Sequence, residues 1–204
     1  MTATRYDQAT AEARREQIRV PTEMPRGLLG KAIVWWSRRA YGDVPDPGLV
    51  LNHNRKVLFA SIGHERKIAK WDALDPQLKT LAQLAAAASI GCSWCLDFGY
   101  YAAHSDGQPV DRLTEITAWR SSSVFTPLER EVLAYAEAMT VTPPKVTDEL
   151  VTGLVAQLGV PAVVELTMMV AVENQRSRFN SAMGLTSQGF SDRCELPPPK
   201  TGPA

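Results

Sequence analysis

The chain reads as an all-α protein, and three observations carry that reading. Leu78 to Ile90 is rich in alanine and leucine and holds neither proline nor glycine, the composition of a strong helix former. Helix-start chemistry recurs along the chain: Asp75-Pro76, Thr126-Pro-Leu-Glu129 and Thr147-Asp-Glu each put a capping oxygen ahead of a helical run. No convincing strand pair and no long internal repeat emerge.

Taken in order, residues 1–25 are a polar N-terminal segment of mixed charge, read as a loosely docked helix. A helical segment follows from Gly27 to Tyr41 and carries Trp35 and Trp36. Gly42-Asp-Val-Pro-Asp-Pro-Gly48 is a turn-rich break. Leu49 to Ala69 reads as one helix, with Leu51, Val57, Leu58 and Ile62 interleaved with basic residues. Asp75 then caps a helix that Pro76 opens, and its many small side chains suit close packing of its neighbours. Gly91 interrupts that helix, and Leu96 to His104 continues helically, ending near Ser105-Asp-Gly107.

Thr126 and Glu129 form a capping box for a helix reaching Met139. Pro143-Pro144 ends the next loop, and Thr147 opens a helix to Leu158. Pro161 starts the longest, Ala162 to Met183, whose first half is apolar almost all round, the pattern of a helix buried on most sides. The tail after Cys194 is proline-rich and reads as disordered. The plan is a single helical domain over residues 26–190, packed around the Leu78 and Ala162 helices, with a tail at 191–204.

Composition narrows the function. The chain has 204 residues, 45% of them hydrophobic, and a formal net charge of zero. It has no basic excess to neutralise phosphates, which excludes a dedicated nucleic-acid binder. The first twenty residues lack the apolar stretch of a secretory signal. Ala32 to Trp36 is too short to cross a bilayer and is flanked by Lys31, Arg38 and Arg39. The expectation is a cytoplasmic protein with no membrane and no nucleic-acid partner.

The chemically loaded stretch is GCSWCLDFGY, Gly91 to Tyr100, with Cys92 and Cys95 three residues apart. On a helix these positions are neighbours, so the two thiols can close and reopen a disulfide with little backbone movement. Free N–H groups at a helix start favour the thiolate, the reactive species. One sulfur can then attack a peroxide oxygen, and the other can condense with the resulting sulfenic acid. An external dithiol would reset the pair by exchange. Three plainer readings compete. Free cysteines are often simply buried. A zinc site needs two further ligands, and no second Cys-x-x-Cys or His-x-x-x-His follows. A thioredoxin-type motif needs a βαβ pattern that is absent here.

The run LxxLAxxAAAxxxGCSWCLDFG, preceded by LNHNRKVL and followed by ENQRSRFNSAMGLTSQGF, resembles the carboxymuconolactone decarboxylase and alkylhydroperoxidase D-like superfamily over Leu49 to Phe190. The resemblance implies an alkylhydroperoxidase D-like helical bundle that associates as a homo-oligomer, a trimer or hexamer. In the peroxidase branch the implied pattern is a glutamate, eleven residues, Cys-x-x-Cys, three residues and a histidine. The second cysteine attacks, so Cys95 would be the nucleophile and Cys92 would resolve. The glutamate and histidine relay the proton. This chain has Thr80 and Gly99 at those two positions. A hydroxyl such as that of Thr80 is no base near neutral pH. The decarboxylase branch, which acts on a small lactone acid without a cofactor, needs no thiol pair.

A proton acceptor must therefore come from elsewhere if the thiols react. Asp97 points away from Cys95 on a helix. His104 lies nine residues past Cys95, about 13 Å along a helix. His53 and His64 could fold toward the pair. Tyr100 and Tyr101 could donate to a substrate oxygen, and Trp94, Phe98 and Tyr100 could form an apolar wall. Glu165 sits inside an apolar helix, where a carboxylate needs a partner or a raised pKa. Glu173 lies eight residues on, on approximately the same face, and Arg176 and Arg178 follow, so the group also reads as an ion-pair network locking helices or subunits. Glu165 is the residue assigned as acceptor, giving Cys95, Cys92 and Glu165 as the candidate catalytic set, with no cofactor and no metal. Cys194 reads as an incidental exposed thiol. The leading expectation is thiol-dependent reduction of a small-molecule hydroperoxide with an external dithiol reductant. A lyase acting on a lactone substrate and a non-catalytic redox-sensing module are the alternatives.

Overall fold

The computed structural model describes residues 13–194; the readings made above for residues 1–12 and for the tail from Glu195 onward lie outside them. Among the described residues every regular element is helical. After a helical turn at 13–16 they are α1 (Gly27–Tyr41), α2 (Asp46–Leu51), α3 (Arg55–Ile68), α4 (Pro76–Ile90), α5 (Ser93–Ser105), a 3-10 helix (Asp111–Ala118), α6 (Pro127–Thr140), α7 (Asp148–Leu158), α8 (Val160–Met183) and a last 3-10 turn (Ser191–Cys194). No helix among them is long and apolar enough to cross a membrane.

Local chemistry sets most of the boundaries. Asp75 accepts from the N–H groups of Gln77 and Leu78, and Pro76 occupies the first turn of α4. Thr126 and Glu129 close the expected capping box on α6, and Thr147 caps α7. The stretch read as one helix from Leu49 to Ala69 is two. The side chain of Asn54 accepts from the Val57 N–H and restarts the chain as α3, an alternative partner that asparagine offers a helical backbone.

Helix α4 is the hub, in contact with α5, α6, α8 and the first 3-10 helix. Its Leu81, Ala82, Ala85, Ala86 and Ala87 are buried, and the short side chains let neighbours approach closely. The main core runs from there through Leu113, Ile116, Val132, Leu133, Leu154, Leu166 and Val170. Helix α8 departs from its sequence pattern. Val160, Val164 and Met168 are exposed, since residues four apart share one face and that face lies outside the core.

The described part of the N-terminal segment, from residue 13 on, is docked more firmly than its polarity suggests. Arg14 is buried and pairs with the buried Asp46 at 2.9 Å, and Ile18 packs with Val50 and Leu185. The Arg19 N–H donates to Met183 O at 2.9 Å, at the end of α8. Gly184 allows this: it has φ +74°, and a Cβ there would lie 2.3 Å from Gln17 O. Gly184→Ala combines a strained backbone with a backbone clash, so it should lower stability by about 1–3 kcal/mol in urea unfolding of the purified protein.

Candidate functional site

Gly91, with φ +78°, ends α4 in the left-handed conformation and turns the chain so that Cys92 becomes the N-cap of α5. Cys95 stands three positions on, and the two sulfurs are joined as a disulfide with a Cα–Cα distance of 5.3 Å. The Cys95 N–H donates to Cys92 Sγ at 3.2 Å, which satisfies one of the free amides at the helix start. Both cysteines are buried, against Ala87, Trp94 and Leu96. Cys95 is the more open of the two, at 8% exposure against 2%.

The polar partners of the pair come from α8. The Ser177 hydroxyl lies 3.2 Å from Cys95 Sγ and 2.7 Å from Glu173 Oε1. Asn180 Nδ2 donates to Cys95 Sγ at 3.3 Å and reaches Cys92 Sγ at 3.9 Å. Ser177 is fully buried, and Glu173 and Asn180 nearly so. A hydroxyl has one proton and two lone pairs. With Ser177 donating to Glu173 it can accept from a Cys95 thiol, so thiol, hydroxyl and carboxylate form a continuous path for a proton. Burial pushes the Glu173 carboxyl above its ordinary range, while Arg176 and the Ser177 hydrogen bond pull it back. Arg176 Nη1 lies 3.3 Å from Glu173 Oε2.

This α8 group was missed as a site, though it carries a readable signal. Glu173, Ser177 and Asn180 are spaced i, i+4, i+7, one stripe of a helix. Glu165 does not join it. It stands twelve residues before Ser177, about 18 Å along the axis. There it accepts from the Ala73 N–H at 2.7 Å and pairs with Lys79. The carboxylate at the thiols is Glu173, and Glu165 ties α8 to α4 instead.

The other candidates also find their places. Thr80 is on the solvent side of α4 and donates to Pro76 O. Gly99 is where α5 meets α4: a Cβ there would lie 2.7 Å from Leu84 Cδ2, so the family's histidine has no room without a shift of Leu84. His53 Nε2 is 2.6 Å from Pro21 O, and His104 is exposed near the far end of α5. Asp97 is buried and its carboxylate is taken up by the chain that follows α8. It accepts from the N–H groups of Gln188, Phe190 and Ser191 at 2.8, 3.1 and 2.8 Å, and from Ser191 Oγ at 2.7 Å. The chain from Leu185 to Cys194 is thereby strapped to α5, so Ser191–Cys194 belongs to the packed body. Cys194 is half-buried there. Trp94 stacks on Phe98 with ring centres 5.0 Å apart, and its indole N–H donates to Gln188 Oε1 at 2.8 Å. Tyr100 lies in the core and donates to Leu113 O at 2.6 Å.

This helical fold with a Cys-x-x-Cys pair at a helix start defines a class, and comparison with known proteins bears on it. The sequence model of the carboxymuconolactone decarboxylase family matches residues 59–138. An uncharacterized protein of Escherichia coli, YnjA, is 32% identical over 173 residues, covering 83% of this chain and 92% of the relative. The chain belongs to the carboxymuconolactone decarboxylase family. Among solved structures, an alkylhydroperoxidase AhpD core from Ralstonia eutropha, a peroxidase-related protein, superposes with TM-score 0.72 at 16% identity over 88% of this chain and 97% of that one. The debrominase Bmp8, as a cysteine-to-alanine variant in complex with 2,3,4-tribromopyrrole, superposes with TM-score 0.73 at 16% identity over 87% and 97%. At such identities these two establish the shared fold.

Glu165→Gln should leave the pH profile of Cys95 alkylation in the reduced protein unchanged. It should cost about 1–3 kcal/mol of stability, because Lys79 and the Ala73 N–H lose their charged acceptor.

Proposed function

We propose that this protein is a thiol peroxidase that reduces hydroperoxides at Cys95, with Cys92 as the resolving thiol. The observation that carries the reading is the buried chain from Cys95 Sγ through Ser177 Oγ to Glu173, beside a Cys-x-x-Cys pair that closes into a disulfide. It supplies from a different helix the acceptor that Thr80 and Gly99 cannot provide. Membership of the family and the peroxidase-related relatives support an antioxidant role of this general kind.

The steps balance as follows. The Cys95 thiol passes its proton to Ser177 as Ser177 passes its own to the Glu173 carboxylate. The thiolate attacks the outer peroxide oxygen, an S–O bond forms and the O–O bond breaks. The leaving alkoxide takes a proton back along the same path and departs as the alcohol. The Cys92 thiol then attacks the sulfenic sulfur, water leaves, and the disulfide forms. The sum is ROOH plus two thiols giving ROH, water and one disulfide. An external dithiol restores the thiols by exchange through a mixed disulfide. Asn180 Nδ2 faces the Cys95 sulfur as a hydrogen-bond donor to the thiolate. Its contact is with Cys95 more than Cys92, which supports the assignment of the nucleophile.

A homo-oligomer, trimer or hexamer, accompanies this reading. Leu28, Trp35 and Trp36 on α1 and Val160, Val164 and Met168 on α8 are exposed in the single chain and offer apolar surface that an oligomer would cover. Light scattering after size exclusion should give a mass of three or six chains.

The decisive experiment adds one equivalent of cumene hydroperoxide to the reduced protein and follows intact and peptide mass. The expected result is a fast loss of two hydrogens mapped to Cys92 and Cys95. Cys95→Ser should abolish the reaction, and Cys92→Ser should stop it at a sulfenic acid on Cys95 that a dimedone probe captures. Glu173→Gln should slow it by about 10²-fold or more, the usual scale of general-base assistance. Thiols that survive peroxide but are consumed by 2,3,4-tribromopyrrole, or a protein that turns over a lactone acid with both thiols intact, would overturn the peroxidase reading.

A further inference from the structure

Arg176 has no contact with either sulfur in the polar network around them, yet it ends the chain of groups that reaches Cys95. Its Nη1 lies 3.3 Å from Glu173 Oε2, while its Nε donates to Glu65 Oε1 at 2.9 Å and its Nη2 takes Glu65 Oε2 at 2.5 Å. Glu65 projects from α3 and is half-exposed, so a surface carboxylate on one helix grips a guanidinium on another. Glu173 is thus held on both sides, Oε2 by Arg176 and Oε1 by the Ser177 hydroxyl. We propose that Arg176 is a positioning residue for thiol activation: clamped by Glu65, it keeps the Glu173 carboxylate ionised and aimed at Ser177, ready to take the Cys95 proton. The proposal rests on the thiol-peroxidase reading above and names what tunes that site.

The physical need is specific. A carboxylate as deeply buried as Glu173 is driven toward its neutral form, and a protonated carboxyl cannot accept the proton of the thiol. The charged and titratable groups facing it are Arg176 on its own helix and Glu65 on α3, with Ser177 linking it to the thiols on α5. Glu65 opposes the Glu173 charge, and Arg176, standing between the two, counters it. Close by, Ile68 at the end of α3 and Trp71 just after it pack with Met169 and Val172 of α8. A guanidinium suits the place because its planar fork can give two N–H groups to Glu65 and a third to Glu173 at once. A lysine would bring the charge without that fork.

The sign of the effect follows from shared protons. Glu173 and Cys95 titrate as a pair, and reactivity rises as the pair loses its first proton. The Arg176 charge favours the singly deprotonated pair, so its removal moves the acid limb of reactivity to higher pH. The test uses the full-length, reduced protein. Rates of Cys95 alkylation by iodoacetamide and of hydroperoxide-driven disulfide formation are measured from pH 5 to 9 for wild type, Arg176→Met, Arg176→Lys and Glu173→Gln, with circular dichroism to check the fold. Arg176→Met should move the acid limb up by about 1–3 units and cut the rate at neutral pH about tenfold or more. Arg176→Lys should move it in the same direction by a smaller amount. A folded Arg176→Met with the wild-type profile, where Glu173→Gln is shifted, overturns the role of Arg176 and leaves the relay standing. If Glu173→Gln also keeps the wild-type profile, the relay reading itself falls. Should Arg176→Met not fold, Arg176→Lys decides: an unmoved acid limb overturns the proposal.

Discussion

The close approach of helices around α4 is the constraint on which the rest depends. Its alanines at 82, 85, 86 and 87 present little more than backbone to their neighbours, and Gly99 on α5 fits against Leu84 with no side chain between. Close packing of this kind lets α5 and α8 lie near enough for short side chains to bridge them. Serine and asparagine have no reach. Ser177 and Asn180 touch the sulfurs only because the helices that carry them are held close together. A side chain at position 99 would need Leu84 to shift aside. The polar contacts of α8 with the sulfurs and the bare contact of Gly99 with Leu84 thus belong to one packing arrangement.

Two buried carboxylates on α8 show how surroundings decide a role. Glu165 meets a lysine and a backbone amide, which together neutralise it and fasten α8 to α4. Glu173 meets an arginine on one oxygen and a hydroxyl on the other. The hydroxyl is the difference. It can give one proton while receiving another, so Glu173 is linked by hydrogen bonds to the Cys95 sulfur and Glu165 is not. Residue type and burial are shared by the two, and neither property separates them.

That comparison also marks what was legible in the sequence. The helix starts at Asp75, Thr126 and Thr147 were readable because capping is local, settled by side chains within three residues. The thiol pair was readable for the same reason. Which carboxylate of α8 lies beside the thiols was not, because it depends on the phase of α8 against α5. Eight residues carry Glu165 to Glu173 through two full turns plus about 80°, and about 12 Å of rise, so the two point to different neighbours. Periodicity says that a helix has a polar stripe; only packing says what the stripe faces. The break at Asn52 to Asn54 was lost for a smaller reason, as Asn54 competes for backbone in a way that the apolar pattern around it hides. The exposed face of α8 was lost because a run of apolar residues looks buried whether or not a neighbour covers it.

Asp97 gathers the amides of Gln188, Phe190 and Ser191 onto the helix that bears the thiols, and Gln188 in turn holds the indole of Trp94 and the N–H of Asp46. The consequence concerns the order of synthesis. Cys92 and Cys95 leave the ribosome some eighty residues before the groups that tune and cover them. During that interval the nascent chain carries two thiols with no Glu173, no Ser177 and no strap. The groups that contact and cover the thiols are made last, so the pair gains its surroundings only once the chain has closed over it.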